Sequence, residues 1–277
     1  MSDPIKLEVH VPKNLIEATG PRVLAISNQK GGVGKTTTAV NLATAMAATH
    51  KRVLVIDLDP QGNASTSLGI DQKQRTIGTY DLLMNGADLS EAIVATSVPN
   101  LSVVPSGVDL AGAELELIEV DNRQECLKRA IGDKSGDWDF IIIDCPPSLG
   151  LLTLNALVAA DAVMVPLQAE FLALEGISHL VRTIERVKKS FNPSLEIQGI
   201  VLTMVDKRNN LSEMVENDVR EYFGSKVYAT TIPRNVRISE APSHGKPVLL
   251  YDFQSKGARA YLELAGEVLK REQSAAA

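Results

Sequence analysis

Two cysteines, Cys126 and Cys145, are all the thiol chemistry available to this chain of 277 residues. A pair cannot build a disulfide framework, and without a C-x-x-C spacing it does not build a zinc site. Cys145 reads as a small buried residue. Nowhere does an apolar run approach the roughly 20 residues that a membrane-spanning helix needs. The N-terminus has no basic stretch leading into apolar and then small residues, so the expected location is cytoplasmic. Internal repeats are missing, and the short N-terminal extension has no helix-turn-helix signature. Positive charge is also in short supply. The formal net charge is −6, an obstacle to any role on DNA, because non-specific affinity comes from Lys and Arg neutralising phosphates. With 44% hydrophobic residues, the chain is long enough for one large α/β domain with its own core.

What is present is a glycine-rich turn in a telling context. Val23-Leu24-Ala25-Ile26 is a short apolar run that favours a strand, and from Thr38 to Ala48 an Ala-rich stretch carries Leu42 and Met46 on one helical face. Between them lies Lys30-Gly31-Gly32-Val33-Gly34-Lys35-Thr36-Thr37. The glycines let the backbone turn tightly with its amides pointing inward, and the following helix start adds a positive dipole end, so phosphate oxygens can be surrounded. Lys35 would reach the β- and γ-phosphates, and the Thr36 hydroxyl suits Mg²⁺. A plain turn bearing a surface lysine would not need that strand and helix on either side.

Two further strand-like runs end in carboxylates. Val53-Leu54-Val55-Ile56-Asp57 continues into Asp59-Pro60-Gln61-Gly62, and Phe140-Ile141-Ile142-Ile143-Asp144 runs into Cys145-Pro146-Pro147. Strand ends of a parallel sheet are where such folds present their chemistry. One of Asp57 and Asp59 is expected to handle water, and Asp144 to lie near Mg²⁺.

The glycine-rich segment departs from G-x-x-x-x-G-K-[ST], since Gln29 stands where the first glycine belongs and Lys30 follows at once. In this it resembles the deviant Walker A group of P-loop ATPases, the ParA/MinD group. Residues 28–38, 57–69, 110–116, 141–155, 202–210 and 232–248 extend the resemblance to the ParA (Soj-like) partitioning family over nearly the whole chain from Pro21 onward. It implies an α/β fold, a single-domain P-loop NTPase with a mostly parallel twisted sheet flanked by helices on both faces. The domain spans 21–273, after a flexible N-terminal extension at 1–20 and before a disordered tail at 274–277. ATP and Mg²⁺ are the implied cofactors. Lys30 crosses a dimer interface to the partner's phosphates, and Gly31, Gly32, Val33, Gly34, Lys35, Thr36 and Thr37 hold the nucleotide. Thr36 and Asp144 serve Mg²⁺, the latter through water, and Asp59 orients the attacking water. Adenine is expected against Met204 and the turn of Pro233, Arg234 and Asn235. Arg208 and Arg237 stand where Soj-like proteins bind DNA. The implied function is an ATP-dependent DNA-segregation ATPase. It pairs into a homodimer on ATP, binds DNA non-specifically on the nucleoid, and is stimulated by a ParB-like centromere-binding protein.

Charge distribution softens the objection to DNA. From Arg234 to Arg259 the cations Arg234, Arg237, Lys246, Lys256 and Arg259 face the acids Glu240 and Asp252, a local excess of +3 that leaves −9 elsewhere. The alternative is a membrane-cycling positioning ATPase of the MinD type, which needs an amphipathic helix at the C-terminus. Here Tyr261, Leu262, Leu264, Ala265, Val268 and Leu269 sit at helical spacing, which reads as a packed core face, so no membrane partner is expected. Strands are expected at 22–27, 52–57, 101–104, 139–144, 162–166, 197–204 and 227–231. Helices are expected at 35–48, 111–131, 150–159, 171–190, 211–223 and 257–271.

Overall fold

A computed structural model describes residues 20–132, 138–170, 173–206 and 208–276. The extension expected over 1–20 lies, Gly20 apart, outside the described residues, as does Ala277.

The strands are β1 (Arg22–Ile26), β2 (Val53–Asp57), β3 (Val94–Ala95), β4 (Leu101–Val104), β5 (Phe140–Asp144), β6 (Ala162–Gln168) and β7 (Glu196–Thr203). They form one sheet in the order β3-β4-β2-β5-β1-β6-β7. All neighbours are parallel except the two-residue edge strand β3, which runs antiparallel to β4. The helices are α1 (Lys35–Ala48), α2 (Asn63–Ser67), α3 (Leu89–Ala92), α4 (Leu110–Glu116), α5 (Cys126–Ile131), α6 (Leu151–Ala159), α7 (Ala173–Ser190), α8 (Asn210–Phe223), α9 (Val236–Glu240), α10 (Val248–Tyr251) and α11 (Lys256–Ala276).

The strands read as unbroken apolar runs because both faces of the sheet are covered. Val23, Ala25, Leu54, Ile56, Ile141 and Ile143 point into one core, with Leu110, Leu127, Leu152, Leu180 and Val219 from α4 to α8. Their alternates Leu24, Ile26, Val53, Val55 and Ile142 point into the other, with Leu42 and Met46 of α1 and Tyr261, Leu264 and Val268 of α11. The α11 stripe is therefore core, as its spacing predicted. The sheet order puts β1 between β5 and β6, with β2 beside β5, so the carboxyl ends of β1, β5 and β2 meet. Asp144 stands opposite both Ile26 and Asp57 in register. That edge is where a ligand crevice opens in such sheets.

Three expectations change. No strand forms over 227–231, where Val227 makes only an isolated bridge to Ile200. The Glu267 carboxylate of α11 takes the Ala229 and Thr230 amides at 2.9 and 3.0 Å, so these donors are lost to a ladder. The helix expected over 111–131 is broken between α4 and α5, with Val120 extended and Asn122 left-handed at φ 53°. The Asn155 side chain substitutes for helical partners there, accepting from the Leu127 amide at 3.1 Å and donating to the Arg123 carbonyl at 2.8 Å. The last helix runs to Ala276 rather than 271.

Candidate nucleotide site

The cradle lies between β1 and α1. Gly32 and Gly34 have φ of 75° and 87°, the left-handed region that favours glycine. A Cβ added at Gly31 or Gly32 would meet no atom within 4 Å, so the loop faces open space. The first turn of α1 carries no acid and Gly34 provides no side-chain cap, which leaves the leading amides free for an anion. The loop is braced from behind by the Thr203 hydroxyl, which donates to the Val33 carbonyl at 2.8 Å, and by Asn28. The Asn28 amide donates to the Pro166 carbonyl at 2.7 Å, and its oxygen accepts the Lys30 N–H at 3.1 Å.

Lys35 is only 7% exposed and turns back over the loop to donate to the Lys30 carbonyl at 3.1 Å. Burial pulls its ammonium below the ordinary lysine range, against the opposing charges of Asp144 and Asp59. Asp144 is fully buried, and neither of its carboxylate oxygens has a hydrogen-bond partner. Burial, then the charge of Asp57, push its pKa well up, with the Thr36 hydroxyl and Lys35 pulling the other way. A buried, unpartnered carboxylate facing a hydroxyl and a lysine is costly unless a cation completes it. Among the described residues no cluster of three or more His, Cys, Asp or Glu side chains is arranged to hold a metal. The hard oxygen donors here are Thr36 and Asp144. This sparse set suits Mg²⁺, which keeps waters and takes phosphate oxygens for the rest of its shell.

The two carboxylates after β2 have different tasks. Asp57 is fully buried and structural: one oxygen accepts the Ser65 amide and hydroxyl at 2.8 and 2.6 Å, the other the Asp59 amide at 3.3 Å. Burial lifts its pKa to about 6 despite these bonds. Asp59 has one oxygen on the Gln61 amide at 3.0 Å and lies within electrostatic reach of both Lys35 and Asp144. Cys145 is buried beside Asp144, and burial drives its thiol far above the usual range. It is inert packing, as expected.

The residues expected at the adenine lie near one another, with Met204 beside the cradle. Met204, just past β7, is left-handed at φ 52°, and its Cε lies 3.8 Å from where a Cβ of Gly34 would sit. Val205 bridges to Pro233, and the Arg234 amide donates to the Val205 carbonyl at 3.1 Å. Asn235 caps α9, its oxygen accepting the Arg237 amide at 2.9 Å. Lys30 stands apart on the outer lip, half exposed, its ammonium paired with Glu170 at 2.6 Å. The DNA candidates are also paired: Arg208 with Asp206 at 2.8 Å, and Arg237 with Glu240 at 2.9 Å and Asp252 at 3.3 Å. Arg234, Lys246, Lys256 and Arg259 are exposed and make no ion pair among the described residues.

The bracing by Asn28, Ser65 and Thr203, and the partner of Lys30, were not found from sequence. A polar residue closing an apolar strand was the available signal for Asn28. Glu170, 140 positions from Lys30, gave none.

Residues 21–197 match the family model described as an AAA domain. The chain is similar to the chromosome partitioning protein ParA of Caulobacter vibrioides, 59% identical over 254 residues that cover 91% of this chain and 95% of that one. It is 54% identical to the sporulation initiation inhibitor protein Soj of Bacillus subtilis over 247 residues, 89% of this chain and 98% of that one. Among solved structures it is similar to a cobyrinic acid a,c-diamide synthase from Mycobacterium smegmatis with bound ATP analogue and magnesium. Identity there is 41%, the TM-score is 0.81, and the match covers 92% of this chain and 97% of the other.

Proposed function

Because this chain belongs to the ParA/Soj family of chromosome-partitioning ATPases, we propose that ATP binding pairs two copies face to face and that the pair holds DNA without sequence preference. Hydrolysis, stimulated by a ParB-like centromere-binding protein, then ends the cycle. The reaction is ATP to ADP and phosphate, with Mg²⁺ as cofactor. The observation that carries this reading is the meeting of an open amide cradle, a buried lysine and an unpartnered buried carboxylate at adjoining strand ends.

Each side chain has a task set by its place. The backbone of Gly31 to Gly34 and the Thr36 and Thr37 amides surround the phosphates, and Lys35 leaves the Lys30 carbonyl to compensate their charge. Thr36 and Asp144 would hold Mg²⁺, Asp144 through water, and the ion would supply charge neutralisation for the phosphates. Asp59, the less buried of the two acids after β2, orients water toward the γ-phosphate with its remaining oxygen. Met204, Pro233, Arg234 and Asn235 receive the adenine. Lys30, on the outer lip, reaches into the second copy's site. A single chain then lacks one cation, and its turnover is slow until a second copy and the partner protein complete the site. Loss of the γ-phosphate removes the anion that both copies hold.

Exposed cations from Arg234 to Arg259 supply a strip for DNA phosphates, doubled on pairing, and nucleoid association follows from that strip. The membrane-cycling alternative is disfavoured because α11 buries Tyr261, Leu264, Ala265 and Val268 in the core. No helix of the described residues is long and apolar enough to cross a membrane.

The test follows oligomeric state by light scattering and DNA binding by anisotropy with ATP, ADP and no nucleotide. Pairing and DNA binding should appear together and only with ATP. Asp59→Ala should still bind ATP and pair, with turnover lowered about a hundredfold or more, so that it stays on DNA. A protein that remains monomeric with saturating Mg²⁺ and a slowly hydrolysed analogue overturns the reading.

A further inference from the structure

The Lys30 side chain is already engaged at home. Its ammonium lies 2.6 Å from a Glu170 oxygen, with the two side chains 45% and 46% exposed. Both ends of the pair are fixed to β6. Glu170 follows that strand by two residues, its amide donating to the Gln168 carbonyl at 2.8 Å. The Lys30 N–H is held by Asn28, whose own amide is bonded to Pro166 within β6. Lys30 therefore lies across its own molecule at the same time as its carbonyl accepts Lys35 at 3.1 Å. Both cations of the cradle are held on protein oxygens, in positions that a nucleotide's phosphates and a second copy would each have to claim.

We propose that Glu170 is a positioning residue for Lys30, holding its ammonium on the home molecule, and that pairing of two ATP-bound chains requires this ion pair to open. The inference rests on the reading above that Lys30 serves the second copy's site. An ion pair this exposed is weak, so it sets a threshold and does not block pairing. Two such pairs open in each dimer, so their removal lowers the protein concentration for half-maximal pairing by about two- to thirtyfold. Salt weakens exposed pairs, so the shift shrinks as ionic strength rises.

The test compares wild type, Glu170→Gln, Glu170→Asp and Lys30→Ala. Pairing is titrated by light scattering or analytical ultracentrifugation with Mg²⁺ and ATPγS, at low and at high salt. Monomer affinity for ATPγS is measured by calorimetry and folding by thermal unfolding. Glu170→Gln should pair at about two- to thirtyfold lower protein concentration than wild type at low salt, with the gap closing at high salt and monomer affinity unchanged. Glu170→Asp should return toward wild type. Unchanged pairing in Glu170→Gln overturns the proposal. So does weaker pairing, which would place the Glu170 carboxylate at work across the interface. If wild type pairs and Lys30→Ala pairs equally well, Lys30 is not the shared cation and the inference falls while pairing stands. If all four remain monomeric, pairing itself fails and the inference goes with it.

Discussion

Lys35 is a cation held where a cation is costly, its burial offset first by the charge of Asp144. Such a residue has little structural purpose, since it spends its donor on a single loop carbonyl. Lys35→Ala should leave the fold intact and lower ATP affinity beyond detection by calorimetry, because the phosphates lose their one buried counter-charge. Affinity within tenfold of wild type would remove Lys35 from the site. Asp57 poses the opposite case, an acid whose three hydrogen bonds do not make up for full burial, so its pKa rises to about 6. A pKa raised on folding contributes stability below the unfolded value and loses it as pH climbs through the folded one. For Asp57 that window runs from about pH 4 to about pH 6. Asp57→Asn keeps the acceptor for Ser65 without the ionisation. Its unfolding free energy relative to wild type should therefore improve from pH 4 to pH 7, by on the order of 3 kcal/mol. Equal differences at the two pH values, measured by urea unfolding, would show that this carboxyl ionises normally.

The elements around the site depend on backbone contacts that no side chain advertises. Gly69, just past α2, has φ 82°, and the loop between α9 and α10 reaches it at Gly245, φ 61°. A Cβ at Gly245 would lie 3.1 Å from the Gly69 Cα, backbone against backbone with no flexible end to yield. Gly245→Ala should cost about 1–3 kcal/mol and lower Tm by several degrees. Gly86→Ala, with φ 67° but nothing within 4 Å of the added Cβ, isolates the torsional part. Equal losses in the two variants would show that the close approach contributes nothing. The same lesson applies to the elements that were misjudged. Unbroken apolar runs and strand-helix order located β1, β2, β4 to β7, α1, α6 and α8, because these are local patterns. The break at Asn122 and the missing strand at 227–231 depend on Asn155 and Glu267 capturing backbone groups from a distance, which periodicity does not encode.

For the whole molecule the decisive quantity is where charge goes, since the net of −6 opposes DNA binding. Arg237 already has two carboxylates, Glu240 and Asp252, whereas Lys246 and Arg259 are exposed with no ion pair among the described residues. Every phosphate contact contributes about 0.9 to the slope of log affinity against log salt. Lys246→Ala and Arg259→Ala should each flatten that slope by about one contact, uniformly across DNA sequences. Arg237→Ala should flatten it less, because phosphate must first displace the carboxylates. The slope comes from DNA binding of the ATP-bound form over a range of salt. A larger loss at Arg237 than at Lys246 would show that the two carboxylates release it on binding.

The amino-acid order alone determined the class of fold, the cradle and the three acids at strand ends. These are properties of short, contiguous segments whose apolar period and glycine placement act locally. Tertiary structure alone decided which acid is buried scaffold and which is less buried, that both Asp144 oxygens are left unpartnered, and that Lys30 rests on Glu170. The first two depend on burial within the assembled sheet, and the third on a partner 140 positions away. Hydrogen bonds and desolvation respond to distance in space, and only the folded chain sets that distance.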